Sequence, residues 1–331
     1  MTLRSLTVPN RIWMAALCRS TAPPDGDQAG VPDDGHFAHL AARATGGTGL
    51  ILTEPTAVSP EGRTGPYDLG IWNDTQVEAF RRITAFLKSQ GTVPGIQLAA
   101  GHRDATEGTW VDRRFPGAPG RQYGWAPGGP IAVPFGTGST TPEQLSTEQI
   151  GRIVADFAAA ARRALDAGFQ VAEIHGLHGH LINQFLSPHS NRRTDAYGGD
   201  FAGRTRFALE VVDAVRAVWP QDLPVFFRTS DPDWPEEITD DTLRLAKELQ
   251  ARGVDLMDVS TGGDRVRNRT GMPVAAVGPL TGPAQAAQAV VRSGEADAVL
   301  LGQELLRDPY WALRAATSLG GRVNTRRYQA A

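Results

Sequence analysis

Three of the chain's seven histidines, His175, His178 and His180, fall within six residues of one another. They end an apolar run, Phe169 to Ile174, that reads as a buried strand. A dense polar loop follows, with Ser187-Pro188, Asn191-Arg192-Arg193-Thr194-Asp195 and Tyr197-Gly198-Gly199. Imidazoles at the carboxyl end of a strand, under a long loop, stand where barrel enzymes keep their reacting groups. A neutral ring brings an N–H donor, and near neutrality it can also exchange a proton. For His175 and His178 the plain alternative is a pair of hydrogen-bonded core residues; for His180 it is a lid histidine facing water. His-x-x-His-x-His also admits a metal site, but no cysteine lies nearby and this is the weakest reading.

The elements that must position these residues alternate regularly. Apolar runs predict strands near 11–17, 49–58, 94–99, 171–175, 224–229, 256–261, 273–277 and 298–301, and helical patterns follow most of them, at 33–45, 74–90, 147–167, 201–219, 240–252, 283–293 and 304–318. Gly46, Gly91, Gly168, Gly253 and Gly294 are placed to close helices as left-handed caps, and Ser146 and Asp74 to start them. Eight strands with helical crossovers predict a (β/α)8 TIM barrel, a single α/β domain over residues 1–331. The competitor, a doubly wound open sheet, lacks its glycine-rich first turn here. The crossover from the sixth to the seventh strand has only GGDRVRNRTGM, Gly262 to Met272. Three arginines and no apolar face predict a bare loop, and so a helix-less gap in the outer ring. Long connections at about 101–146 and 176–200 read as binding loops.

Matches spread over seven strands make the chain resemble the Old Yellow Enzyme family of FMN-dependent ene-reductases, most closely its bacterial branch with a cysteine near the flavin. The carrying segments are Asn10-Arg11-Ile12 through Cys18, Gly47 to Trp72, Gly95-Ile96-Gln97-Leu98, His175 with His178, Arg228, Ala276-Val277-Gly278, and Gly302 with Glu304-Leu305-Leu306-Arg307-Asp308-Pro309. The resemblance implies FMN as cofactor and NAD(P)H as reductant. It implies that the backbone at Ala15 and Ala16 lies along the isoalloxazine, that Cys18 tunes the flavin, and that Gln97 meets the pyrimidine edge. Arg228 would lie near flavin N1, while Gly278, Gly302 and residue 303 would hold the phosphate. His175 and His178 would bind the substrate carbonyl oxygen, so that an activated alkene can accept hydride.

Several positions depart from that family's pattern. His180 replaces the usual proton-donating tyrosine, and Gln303 replaces an arginine, losing a charge and a bidentate fork. Pro55 stands where a backbone N–H is usual, Ala16 replaces a proline, and Ser20 replaces a tyrosine. One of Arg265, Arg267 and Arg269 is a candidate to restore the phosphate charge lost at Gln303. The leading expectation is a flavin enzyme reducing the C=C bond of a small unsaturated carbonyl compound. A flavin-free isomerase, lyase or cyclase using the same histidines is the second, and a catalytically inactive binding homologue the third.

Composition limits the partners. With 41% hydrophobic and 21% charged residues and a net charge of −3, the chain suits a globular fold with a large core, not a polyanion-binding surface, so nucleic acid is not expected. Cys18 is the single cysteine, which excludes an internal disulfide and fits a reducing compartment. Residues 1–20 show no secretion signal, and no apolar run approaches the ~18 residues of a membrane span, so a cytoplasmic location is expected. A homodimer whose tail, Arg326-Arg327-Tyr328, reaches a neighbouring site is a further expectation from relatives.

Overall fold

Eight parallel strands close on themselves in sequence order: β1 (Ile12–Met14), β2 (Leu50–Ala57), β3 (Val93–Ala99), β4 (Val171–His175), β5 (Val225–Arg228), β6 (Leu256–Val259), β7 (Val274–Val277) and β8 (Ala298–Leu301), with β8 pairing back to β1. The computed structural model describes residues 1–101, 125–134, 141–230, 239–260, 262–277 and 284–321. Helices pack outside the strands: α1 (Asp34–Thr45), α2 (Asp74–Ser89), α3 (Thr147–Asp166), α4 (Leu181–Leu186), α5 (Phe201–Val218), α6 (Asp240–Ala251), α7 (Gly263–Thr270), α8 (Ala284–Ser293), α9 (Gln303–Arg307) and α10 (Trp311–Ser318). This is the expected (β/α)8 barrel.

Side-chain alternation divides the interior from the ring. Trp13, Leu50, Leu52, Val93, Val171, Phe226, Leu256 and Leu300 share one cluster inside the barrel, while their neighbours Met14, Ile51, Ala172, Val225, Phe227, Met257, Val299 and Leu301 join the cluster beneath the helices. Both faces are dry, so the strands read as nearly continuous apolar runs. An amino-terminal hairpin, Thr2–Leu3 against Leu6–Thr7, adds Leu3, Leu6 and Val8 to the interior cluster. Further along the strands the inward positions turn polar, at Gln97, Glu173, His175, Arg228 and Asp258.

Local details correct some sequence expectations. The cap of α2 is Asn73, whose side chain accepts from Gln76 N while Gln76 reaches back, so Asp74 is the first helical residue. Ser146 and Gln149 form the same reciprocal box on α3. At the end of α1 the left-handed residue is Gly47 (φ 87°), not Gly46. Gly46 is instead a point of close approach: a Cβ there would sit 2.0 Å from the Pro309 carbonyl oxygen. That proline also divides the helix expected over 304–318 into α9 and α10, because the residue before it, Asp308, is extended (φ −140°, ψ 94°).

The short sixth crossover is not bare. It folds as the two-turn helix α7 between two left-handed glycines, Gly262 (φ 67°) and Gly271 (φ 72°), and buries Val266 completely. One apolar side chain and glycine caps suffice because the strands on either side fix both ends. In the 176–200 connection, α4 buries all six of its residues.

Candidate active site

Strand β4 carries the central histidine. His175 is its last residue, 1% exposed, and pairs in register with Arg228 on β5. The chain then turns sharply: Gly176 N donates to the Arg228 carbonyl at 2.8 Å, and His178 (φ 60°) and Gly179 (φ 74°) are both left-handed. Asn183 Oδ1 accepts from Gly179 N at 2.9 Å and Gln184 Nε2 donates to Gly179 O at 2.8 Å, so α4 fixes this turn. His180 is the N-cap of α4, although its ring makes no cap bond. The turn brings the three imidazoles together: centroid separations are 5.3 Å for His175 with His178 and 4.4 Å for His175 with His180.

All three rings are held neutral. Desolvation, then His180, Arg228 and His178, push His175 well below the usual histidine range. Desolvation, then His178 and Arg228, push His180 down to about 3. For His178 desolvation and then Arg228 act in the same direction, to about 4. His178 nonetheless keeps an exposed face, so Arg228 is the cause on which its downward direction rests. At neutral pH each ring therefore offers one N–H and one lone pair. Both His175 nitrogens and His180 Nδ1 lack a partner among the described residues.

Gln97 and Arg228 complete the polar mouth of the barrel. Gln97 is fully buried and its Nε2 donates to Glu173 Oε1 at 2.6 Å, which leaves its Oε1 without a donor. Arg228 lies 3.5 Å from Asp258 Oδ2, and its Nε has no hydrogen-bond acceptor. A buried amide oxygen and a guanidinium, both with unused capacity, suit a flat heteroaromatic edge that alternates N–H and C=O groups. The residues present fit FMN at this end.

The other expected positions surround this centre. Ala15 and Ala16 are buried in the barrel interior cluster, with Ala15 N bonded to Leu301 O at 3.0 Å. Cys18 is exposed, so burial raises its thiol only in part; Asp68 and Glu54 push in the same direction, and Arg228 opposes them. Its segment is pinned by Glu54 Oε2, which accepts from Arg19 N at 2.8 Å and Ser20 N at 3.2 Å. Pro55 pairs in register with Gln97 just past a bulge in β2, where Gln97 N turns to the Thr53 hydroxyl at 3.3 Å. Gly302 is the N-cap of α9 and Gln303 its exposed first residue. Gly278, most of the 101–146 connection and the tail with Arg326, Arg327 and Tyr328 lie outside the described residues.

Two of the three α7 arginines, Arg265 and Arg267, are engaged in ion pairs with neighbouring segments. Arg267 is tied to Asp297 Oδ2 at 3.2 Å and Gly294 O at 3.4 Å, residues that lead into the amino end of β8, and Arg265 pairs with Asp240 at 3.3 Å. Asn191 and Arg193, read as part of a polar loop, act as scaffolding. Asn191 Nδ2 donates to Phe185 O and Tyr197 O, and Arg193 Nη1 to Pro130 O and Leu145 O. Among the described residues no group of three or more His, Cys, Asp or Glu side chains is arranged to hold a metal ion. No described helix is long and apolar enough to cross a membrane. A groove of about 640 Å³ between α5 and α6, lined by Arg206, Glu210, Arg244 and Glu248, lies away from these groups.

Two site residues escaped the sequence reading: Glu173 and Asp258, both fully buried. The available signal was an acidic residue inside each apolar strand, Glu173 sharing a face with His175 two residues on.

Comparison with known proteins agrees with this geometry. A model of the NADH:flavin oxidoreductase / NADH oxidase family matches residues 1–320. The chain is 39% identical over 338 residues to an NADPH dehydrogenase of Listeria innocua serovar 6a, covering 96% of this chain and 93% of that protein. It is 38% identical over 344 residues to the NADPH dehydrogenase of Bacillus subtilis strain 168, covering 98% and 95%. Among solved structures it is similar to morphinone reductase (TM-score 0.79, 30% identity, 98% of this chain and 89% of that one). It is also similar to the old yellow enzyme homologue from Zymomonas mobilis (TM-score 0.80, 26% identity, 98% and 93%).

Proposed function

Because this chain belongs to the NADH:flavin oxidoreductase / NADH oxidase family, the Old Yellow Enzyme family, we propose that it reduces the C=C bond of a small α,β-unsaturated carbonyl compound. It is an FMN-dependent NAD(P)H oxidoreductase. When bound, FMN supplies the hydride chemistry, accepting from NAD(P)H and donating to the alkene. Over a full cycle NAD(P)H is oxidised, one hydride reaches the β-carbon, one proton reaches the α-carbon, and a saturated carbonyl compound leaves.

The chain's residues divide the remaining work. His175 and His178 each present an N–H to the carbonyl oxygen, where negative charge collects as the β-carbon accepts hydride. Because the rings are neutral they donate without surrendering a proton. Arg228 holds a fixed positive charge beside them, and Gln97 offers its free Oε1 to an N–H of the cofactor's ring edge. His180 is too little protonated at neutral pH to be the acid; water is the proton source, and His180 Nδ1 orients it. Gly302 and Gln303 would lie toward the phosphate, and Ala15, Ala16, Pro55 and Cys18 along the ring.

The observation that carries this reading is the convergence of His175, His178, Gln97 and Arg228 at one end of the barrel, with unsatisfied polar atoms on His175, Gln97 and Arg228. Membership of the family sets aside the flavin-free and the inactive readings. The test is spectroscopic: the purified protein is loaded with FMN, reduced by NADPH or NADH without oxygen, and offered cyclic enones. Reoxidation by the enone with formation of the saturated ketone is expected. A flavin that NAD(P)H reduces, but that oxygen and quinones alone reoxidise, would overturn the alkene assignment.

A further inference from the structure

Beside Gln97 and Arg228, directly across from them on the neighbouring strands, lie two carboxyl groups that the mechanism above does not use. Glu173 on β4 and Asp258 on β6 are both fully buried and perturb one another directly. Their hydrogen bonding does not close if both are ionised. Gln97 Nε2 supplies Glu173 Oε1, but Glu173 Oε2 and both Asp258 oxygens have no donor, and the one guanidinium acting on the pair, Arg228, stands 3.5 Å from Asp258 Oδ2. Two buried carboxylates against one cation would leave an uncompensated charge in the driest part of the barrel.

We infer that Glu173 and Asp258 share one proton at neutral pH and, through it, hold Gln97 and Arg228 in the orientation that the pyrimidine edge of FMN requires. The inference rests on the flavin reading above. With the proton on Glu173 Oε2 the chain of contacts closes. Gln97 donates to the Glu173 carbonyl oxygen, Glu173 donates to Asp258, and the Asp258 carboxylate pairs with Arg228. The Gln97 amide is thereby oriented with its acceptor free. The pair then carries one negative charge against the one positive charge of Arg228. Loss of the proton would put a net negative charge under an edge rich in carbonyl oxygens and would weaken binding. Glu173 and Asp258 are positioning residues; neither touches the reacting carbons.

Titration directions agree. Desolvation first, then Asp258, push Glu173 up to about 8, and desolvation, opposed by Arg228, pushes Asp258 up to about 6. Arg228 on β5 is the charged group that acts on the pair directly; around Arg228 stand His175 on β4, His178 and His180 from the turn after β4, and Cys18 after β1, with Glu54 and Asp68 acting on Cys18. The three histidines are all pushed below the usual imidazole range, His178 to about 4 and His180 to about 3, so they do not titrate between pH 7 and 9; Cys18 is exposed and is present in the wild type and Glu173→Gln alike, so comparing their slopes cancels it. Asp68 is also buried and raised, which requires a control.

The experiment measures FMN affinity from pH 7 to 9 by quenching of free-flavin fluorescence, in the wild type, Glu173→Gln and Glu173→Ala. Glutamine reproduces the protonated acid, accepting from Gln97 and donating to Asp258. Wild-type affinity is expected to fall up to about tenfold per pH unit above the pair's titration. Glu173→Gln should bind as tightly as wild type at pH 7 and stay flat to pH 9, and Glu173→Ala should bind weakly throughout. Equal pH slopes in wild type and Glu173→Gln would overturn the inference while leaving the flavin reading intact. Failure of every protein to bind FMN would overturn both. Infrared spectra of the wild type serve if a variant does not fold: a carboxylic-acid C=O band is expected at pH 7 and should disappear by pH 9. Its absence at pH 7, or its persistence in Glu173→Gln, as Asp68 alone would give, sinks the proposal.

Discussion

The His180 ring meets the His175 ring edge to face, with centroids 4.4 Å apart. Neither can be charged without repelling the other and Arg228, so both are neutral where most histidines begin to titrate. Ring C–H chemical shifts should show no titration of His175 or His180 between pH 5 and 8 (taking His180 at about 3). Between about pH 3 and the ordinary value of 6.5 the unfolded chain binds protons that the native His180 refuses. This contribution to stability is therefore complete above pH 6.5 and is lost as the pH falls toward 3. Glu173 acts in the opposite sense: raised to about 8, it favours the fold at low pH and loses that contribution as the pH rises through 8. A ring of either histidine titrating near 6.5 would contradict the assignment.

If His175 and His178 bear on the carbonyl oxygen, each removal should cost transition-state stabilisation more than cofactor binding. His178→Ala is expected to lower kcat/KM for an enone by about 10²-fold, the usual effect of deleting one oxyanion donor. Its rate of flavin reduction by NAD(P)H and its FMN affinity should change much less. Stopped-flow measurement of the two half-reactions separates these effects. A comparable loss of FMN would place His178 on the cofactor.

His178 also stands in the left-handed region at φ 60°, a conformation that costs a side chain with a Cβ about 1–2 kcal/mol. Glycine is free of that cost but gains entropy when unfolded. His178→Gly should therefore be more stable than His178→Ala by about 1 kcal/mol, read from denaturant melts of the two variants. Equal stabilities would mean that the turn relaxes to a negative φ. The sequence spacing His-x-x-His-Gly could not show this, because the φ value comes from α4, whose Asn183 and Gln184 clamp Gly179.

What the sequence revealed follows from pattern length. Strands buried on both faces and long amphipathic helices imprint their period, so β4, and helices such as α3 and α5, were legible nearly to the residue. The six-residue α4 and the two-turn α7 are shorter than any period can establish, and tertiary contacts decide them. Val266 and two glycines hold α7, while burial on all sides holds α4. His175 was visible by type and place. Glu173 was not, because it sat inside a run otherwise apolar; only the position of Asp258 on β6 shows that it has an acidic partner.

The phosphate end offers the sharpest contrast between residue type and position. Gln303 is exposed at the first position of α9, beside the N-cap Gly302, and lacks the fork of an arginine. Gln303→Arg should tighten FMN binding by about tenfold, on the order of the 1.4 kcal/mol of one added charge-assisted contact. The α7 arginines supply the control. Arg267 is held by Asp297 and Gly294 toward the amino ends of the strands, the end of the barrel opposite the site. Arg267→Ala should therefore leave FMN affinity unchanged, while lowering stability by about 0–1 kcal/mol for a pair still partly open to solvent. Fluorescence titration of FMN into both variants decides. Weaker binding in Arg267→Ala, with no gain in Gln303→Arg, would show that α7 and not α9 supplies the phosphate charge.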